Sequence, residues 1–164
     1  MKAETRRIIE QGVVAGVLGH LTVAFLFAVI NLASGRPLFY TPALLGAAFF
    51  YGLSDPAQLQ IQAAYVFAYN GTHLLVFLAL GTIGAWLASI SDRGWQLWYL
   101  AIFFYLFVAF HIFGFIQLLA LPLRESFSDL TLWLSGFAAV GVMLTYLLAK
   151  HPATRAQLAH WQEQ

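Results

Sequence analysis

Three histidines, His20, His73 and His111, stand inside long apolar runs that carry no Lys, Arg, Asp or Glu. An ionisable ring held in lipid is a functional candidate by default, because hydrocarbon cannot solvate it. Two imidazoles at matching depth on adjacent helices can ligate a b-type haem iron from both faces, or one can hold the magnesium of a chlorin. Counting about 1.5 Å per residue from the nearer run boundary puts His111 roughly 10 Å deep and His73 roughly 5 to 13 Å deep, with His20 nearer the middle. On that count His73 and His111 face each other and His20 is the reserve ligand. Glycines supply room for such a ring: Gly114 follows His111 by one turn, Gly81 follows His73 by two, and Gly12 and Gly16 share the face of His20. The competing reading is that each histidine is a neutral hydrogen-bonding residue tying helices together, and that Gly12 and Gly16 are a small-residue packing face.

A second constellation surrounds His73. Tyr65, Tyr69 and His73 recur every four residues and so share one helix face, beside Asn70 and Thr72. With Gln117 on another run they can form the mouth of a quinone or small-molecule pocket, His73 and Gln117 donating to a carbonyl. Tyrosines near a membrane interface also serve simply as anchors. No phosphate-binding loop, dinucleotide fingerprint, paired carboxylates or serine with a neighbouring base is present, so no catalytic residue is assigned. Without cysteine there are no disulfides, thiolate metal sites or thiol nucleophiles.

The elements that must position these residues follow from charge and length. Only 9% of the 164 residues are charged and 61% are hydrophobic, against about 25% charged in a soluble globule. The charge-free runs cover about residues 11–32, 64–90, 98–121 and 130–149, each near the 20 residues that cross a hydrocarbon core. The expectation is an all-α membrane domain over the whole chain, a four-transmembrane-helix antiparallel bundle without internal repeats. The basic start, Met1 to Arg7, reads as the flank of a retained first span, its apolar run being too long for a cleavable signal.

Cations fix the direction. With both termini cytoplasmic, Lys2, Arg6, Arg7, Arg93, Lys150 and Arg155 lie inside and only Arg36 and Arg124 outside, as the positive-inside rule requires. Trp95, Trp98, Trp133 and Trp161 then fall near the interfaces. Between the first two runs, residues 42–51 are apolar but too short to cross. Thr41 as N-cap, Pro42 at the first position and Gly52 past the end mark a short helix, interfacial or re-entrant, that lies over the outer half of the bundle. Ser54-Asp55-Pro56 gives a second start signal, and His151-Pro152 ends the last span before a tail over residues 150–164.

The stretches Gly35-Arg36-Pro37-Leu38-Phe39-Tyr40-Thr41-Pro42-Ala43-Leu44-Leu45-Gly46 and Tyr69-Asn70-Gly71-Thr72-His73-Leu74-Leu75-Val76-Phe77-Leu78-Ala79-Leu80-Gly81 resemble segments of small uncharacterised bacterial four-helix inner-membrane proteins. The resemblance covers about the middle half of the chain, implies a bacterial inner-membrane location, and transfers no activity. The functional expectation is therefore a non-enzymatic accessory or structural subunit. Its large count of phenylalanines (15) and its small-residue faces would pack against a larger membrane complex or a second copy, with bound lipid. A haem- or chlorin-binding protein, and a small transporter or quinone-site protein, are the alternatives. Nucleic acid is no partner for a chain of net charge +1 with scattered basic residues.

Overall fold

The computed structural model describes residues 3–93, 98–109 and 121–161, and among them every regular element is helical. The helices are α1 (Ala3–Ala33), α2 (Tyr40–Tyr51), α3 (Ala63–Ser91), α4 (Trp98–Ala109), α5 (Leu121–Arg124), α6 (Asp129–Lys150) and α7 (Pro152–Trp161). Three of them, α1, α3 and α6, are long and apolar enough to cross a membrane. Residues 110–120 of the expected third span lie outside the described residues.

Helix ends obey local chemistry. Gly35 takes φ 69°, where a side chain would strain the backbone, and closes α1. The Arg36 N–H then donates to the Asn31 carbonyl at 2.8 Å and the Gly35 N–H to that of Leu32 at 3.0 Å, the paired bonds of a Schellman ending. Gly52, at φ 74°, ends α2 where the turn signal put it. The start of α2 differs from expectation. It begins at Tyr40, with Phe39 before it and no side-chain cap, and Thr41 lies inside the helix. Its hydroxyl donates instead to Asn31 Oδ1 of α1 at 2.9 Å, a longer-range contact that wins over capping. The Asp55 carboxylate does cap locally, accepting the Ala57 N–H at 2.9 Å to open a single 3-10 turn, Pro56–Gln58.

Glycine decides how α1 meets α3. A Cβ on Gly16 would overlap the backbone of Phe77 and Leu78, one on Gly12 the backbone of Thr82, and one on Gly81 the backbone of Gly12 and Gly16. The two main chains therefore touch, and they run antiparallel, since 12 meets 82 and 16 meets 77–78. On its other side α1 packs antiparallel to α6, with Gly19 against Met143 and Gln11 beside His151. Hence α3 and α6 run parallel, and Gly84 sits beside Leu147. Ala15, Phe77, Ala85, Ala88, Phe104, Ala139, Met143 and Leu147 fill the space between them. Small residues mark the close crossings and large ones the gaps, as dense packing without a hydrophobic drive between helices requires.

Candidate functional site

The α1–α3 register carries forward one more turn to a buried pair. His20 Nδ1 lies 3.1 Å from His73 Nδ1, with the rings tilted by 59° and both residues buried. One ring donates and the other accepts, so the contact contains a single shared proton. Tyr69 stacks on His73 at 5.1 Å between centroids and Phe77 meets its edge at 4.8 Å. The depth count sets His20 apart from His73; the structure brings them together. The reason is the glycine crossing, which fixes the register from contacts that counting from run boundaries does not contain. His111 and Gln117 lie outside the described residues.

Axial imidazoles on one metal stand about 4 Å apart, twice an imidazole–metal bond of about 2.0–2.1 Å, and a macrocycle lies between their rings. His20 and His73 in direct contact leave no such gap. His73 borders a cavity of about 110 Å³ between α1, the start of α2 and α3. Val23, Phe27, Thr41, Tyr69, Asn70 and His73 supply most of its wall. A dry cavity of about 150 Å³ accepts benzene, so this one takes a single six-membered ring at most. Its polar groups come from α2 and α3: His73, Tyr69, Asn70, whose Nδ2 donates to the Val66 carbonyl at 3.0 Å, and Thr41, tied to Asn31. Asn31 Nδ2 in turn donates to the Leu38 carbonyl at 3.1 Å, so one buried amide anchors the loop and the front of α2 to α1.

Tyr65 takes a different role from Tyr69. Its ring meets that of Tyr51 at 4.6 Å, and its backbone lies against Gly46, where a Cβ would overlap the Tyr65 carbonyl. Tyr65 fastens α2 to α3 and does not line the cavity. No family model matches the chain. Neither a curated protein nor a solved structure matches it, so the resemblance to small bacterial membrane proteins has no counterpart in these comparisons.

A second polar cluster, at the opposite end of α1, escaped the reading of the sequence. His151 is fully buried, with Nδ1 2.5 Å from Asp92 Oδ2 and Nε2 3.0 Å from Gln11 Oε1. The Thr154 N–H and hydroxyl both donate to Asp92 Oδ1, at 3.0 and 2.7 Å. Asp92, just past the end of α3, thereby caps the N-terminus of α7, and Gln11 ties the knot to α1. Burial pushes the Asp92 carboxyl up, but the donors from Thr154 and His151 outweigh it and hold the group below its ordinary value. The signal was present in His151-Pro152-Ala153-Thr154, a helix start with a polar residue at its third position, yet only the fold supplies the carboxylate.

Proposed function

We propose that the chain is a small accessory subunit of a bacterial cytoplasmic membrane, crossing it four times with both termini inside and holding a lipid-soluble ligand beneath α2. Support for four crossings comes from helix direction. That α3 and α6 run parallel and both end at the Asp92–His151 cluster supports a return crossing between them. Arg6, Arg7, Arg93, Lys150 and Arg155 gather at that end, and Arg36 and Arg124 at the other. On this reading α2 lies at the outer surface. The chain has no cysteine, so single cysteines report cleanly: Arg36→Cys should react with an impermeant maleimide added outside, and Arg155→Cys only after permeabilisation.

The observation that carries the ligand reading is the buried His20–His73 contact opening, through His73 and Tyr69, onto a ring-sized cavity. A quinone headgroup suits it: one flat ring, with carbonyls that accept from the polar groups while the apolar tail leaves past Leu38 and Phe39, which are exposed. An outward apolar stripe of Leu21, Phe25, Val29 and Leu32 on α1 supports the subunit reading. One native purification tests both. A partner protein should co-migrate, and titration with a short-tailed benzoquinone should saturate. Ala28→Trp, which fills the cavity, and His73→Ala should weaken binding by about tenfold or more, the loss of one good contact. A lone monomer indifferent to the quinone overturns the proposal, and a Soret band in the same sample would favour haem.

A further inference from the structure

Between the first turns of α1 and the last turns of α3 runs a surface groove of about 510 Å³. Its walls are mainly apolar, with Ile8, Ile9, Ile83, Trp86 and Ile90 beside the hydroxyls of Thr5, Thr82 and Ser89, and it carries one charge of each sign, Glu4 and Arg93. These two are ion-paired and about half exposed. Trp86, also half exposed, lies seven residues before Arg93, about 10 Å deeper along the helix. The charges are thus arranged as in one leaflet of a membrane: the charged pair at the top, with the indole and the isoleucines below it and no further charge in the lining.

We propose that this groove is a binding site for a phospholipid whose headgroup is zwitterionic and ends in a primary ammonium, as in a phosphatidylethanolamine. The rim selects the headgroup. The Arg93 guanidinium offers a planar fork that matches a phosphate, and the Glu4 carboxylate accepts from an ammonium N–H. Each side chain exchanges its partner across the ion pair for an opposite charge on the lipid, so no charge is left unmatched. An anionic headgroup gains Arg93 but meets repulsion from Glu4. A quaternary ammonium satisfies the charge of Glu4 but brings no N–H donor. The acyl chain then follows the groove past Trp86 and covers the isoleucines. The proposal rests on the membrane-crossing reading and is independent of the cavity beneath α2.

Native mass spectrometry of the full chain in mild detergent tests it, with phosphatidylethanolamine, phosphatidylcholine and phosphatidylglycerol of identical acyl chains added in equal amounts. Phosphatidylethanolamine adducts should dominate, and both Glu4→Gln and Arg93→Gln should reduce them by about tenfold, as expected for one charge-assisted contact. Both side chains are exposed at the bundle's edge, so helix content by circular dichroism should be unchanged. Phosphatidylglycerol adducts equal to or above those of phosphatidylethanolamine overturn the proposal, as does phosphatidylcholine bound equally well. Millimolar phosphoethanolamine should leave the adducts in place; displacement by it would assign the rim to a soluble ligand and overturn the lipid. Retention of the chain in membranes through an alkaline wash tests the crossing reading separately.

Discussion

Replacing Gly16 by leucine is expected to prevent the bundle from assembling. A Cβ there falls on the Phe77 carbonyl and the Leu78 Cα, which are backbone atoms and cannot rotate away. The only relief is to separate α1 from α3. That undoes the Gly12 and Gly81 contacts in the same step and pulls His20 from His73. Overpacking a core that can adjust costs about 1–3 kcal/mol, and here the whole crossing opens, so a loss of about 3 kcal/mol or more is expected. Gly81→Leu should behave alike. Two internal comparisons make the result specific. At Gly84 the added Cβ meets the ends of the Phe104 and Leu147 side chains at 3.1 and 3.2 Å, which can shift, so Gly84→Ala should cost about 1 kcal/mol. At Gly71 and Gly141 it meets nothing within 4 Å, so alanine should be neutral or stabilise by up to about 1 kcal/mol through helix propensity. Unfolding equilibria in mixed micelles read all five. If Gly16→Leu unfolds no more readily than Gly141→Ala, the close crossing is wrong.

The long helices were legible because lipid allows little freedom: residues 64–90 and 130–149 carry no charge, and the helices found there overrun those limits by one residue at each end. At the chain's start the limit of apolarity and the limit of helix part company. Arg6 and Glu10, ion-paired one turn apart at 2.7 Å, extend α1 back to Ala3, well before the apolar run begins at Gln11. Composition reads where lipid begins; it does not read where hydrogen-bonded backbone begins.

The site was legible only in part, and for a different reason. Tyr69 and His73 share a face by spacing alone, and they do border the cavity. Which histidine meets His73 is a matter of helix register, and register is set by backbone contact at Gly12, Gly16 and Gly81. Those glycines were visible as a small-residue face, but nothing in a spacing of four says which turn of the partner it receives. Thr41 shows the same limit from the other side. Its position before a proline predicts a cap, and a single amide on another helix, Asn31, takes the hydroxyl instead. Local rules hold until a buried partner outbids water for the group.

The Asp92 cluster should give the second large effect, and one with a pH signature. Asp92→Ala removes the partner of His151 Nδ1 and the acceptor of both Thr154 donors, leaving one nitrogen of the fully buried His151 unmatched and α7 without its cap. Removing an ionised acceptor from buried donors costs about 2–4 kcal/mol and should also detach α7, seen as new proteolytic cleavage after Lys150. Asp92→Asn keeps an oxygen for both Thr154 donors and turns an N–H toward His151 Nδ1, which accepts it in the other neutral tautomer, so it should recover part of the loss while removing the charge. Because the folded carboxyl is held below its ordinary value of 3.8, the stability it contributes is fully present above about that pH and is lost as the pH falls through the lower folded value. Wild-type protein should therefore lose stability on acidification below about pH 4 by an amount that Asp92→Asn, already lacking it, does not lose. The Gln11 amide can face the second ring nitrogen of His151 with either its oxygen or its nitrogen, so that side of the knot is satisfied whichever form the ring takes. Gln11→Ala, which leaves the carboxylate and its Thr154 donors in place, should lower stability by about 1 kcal/mol without moving the acid limb. An unchanged limb in Asp92→Asn would remove Asp92 from the role.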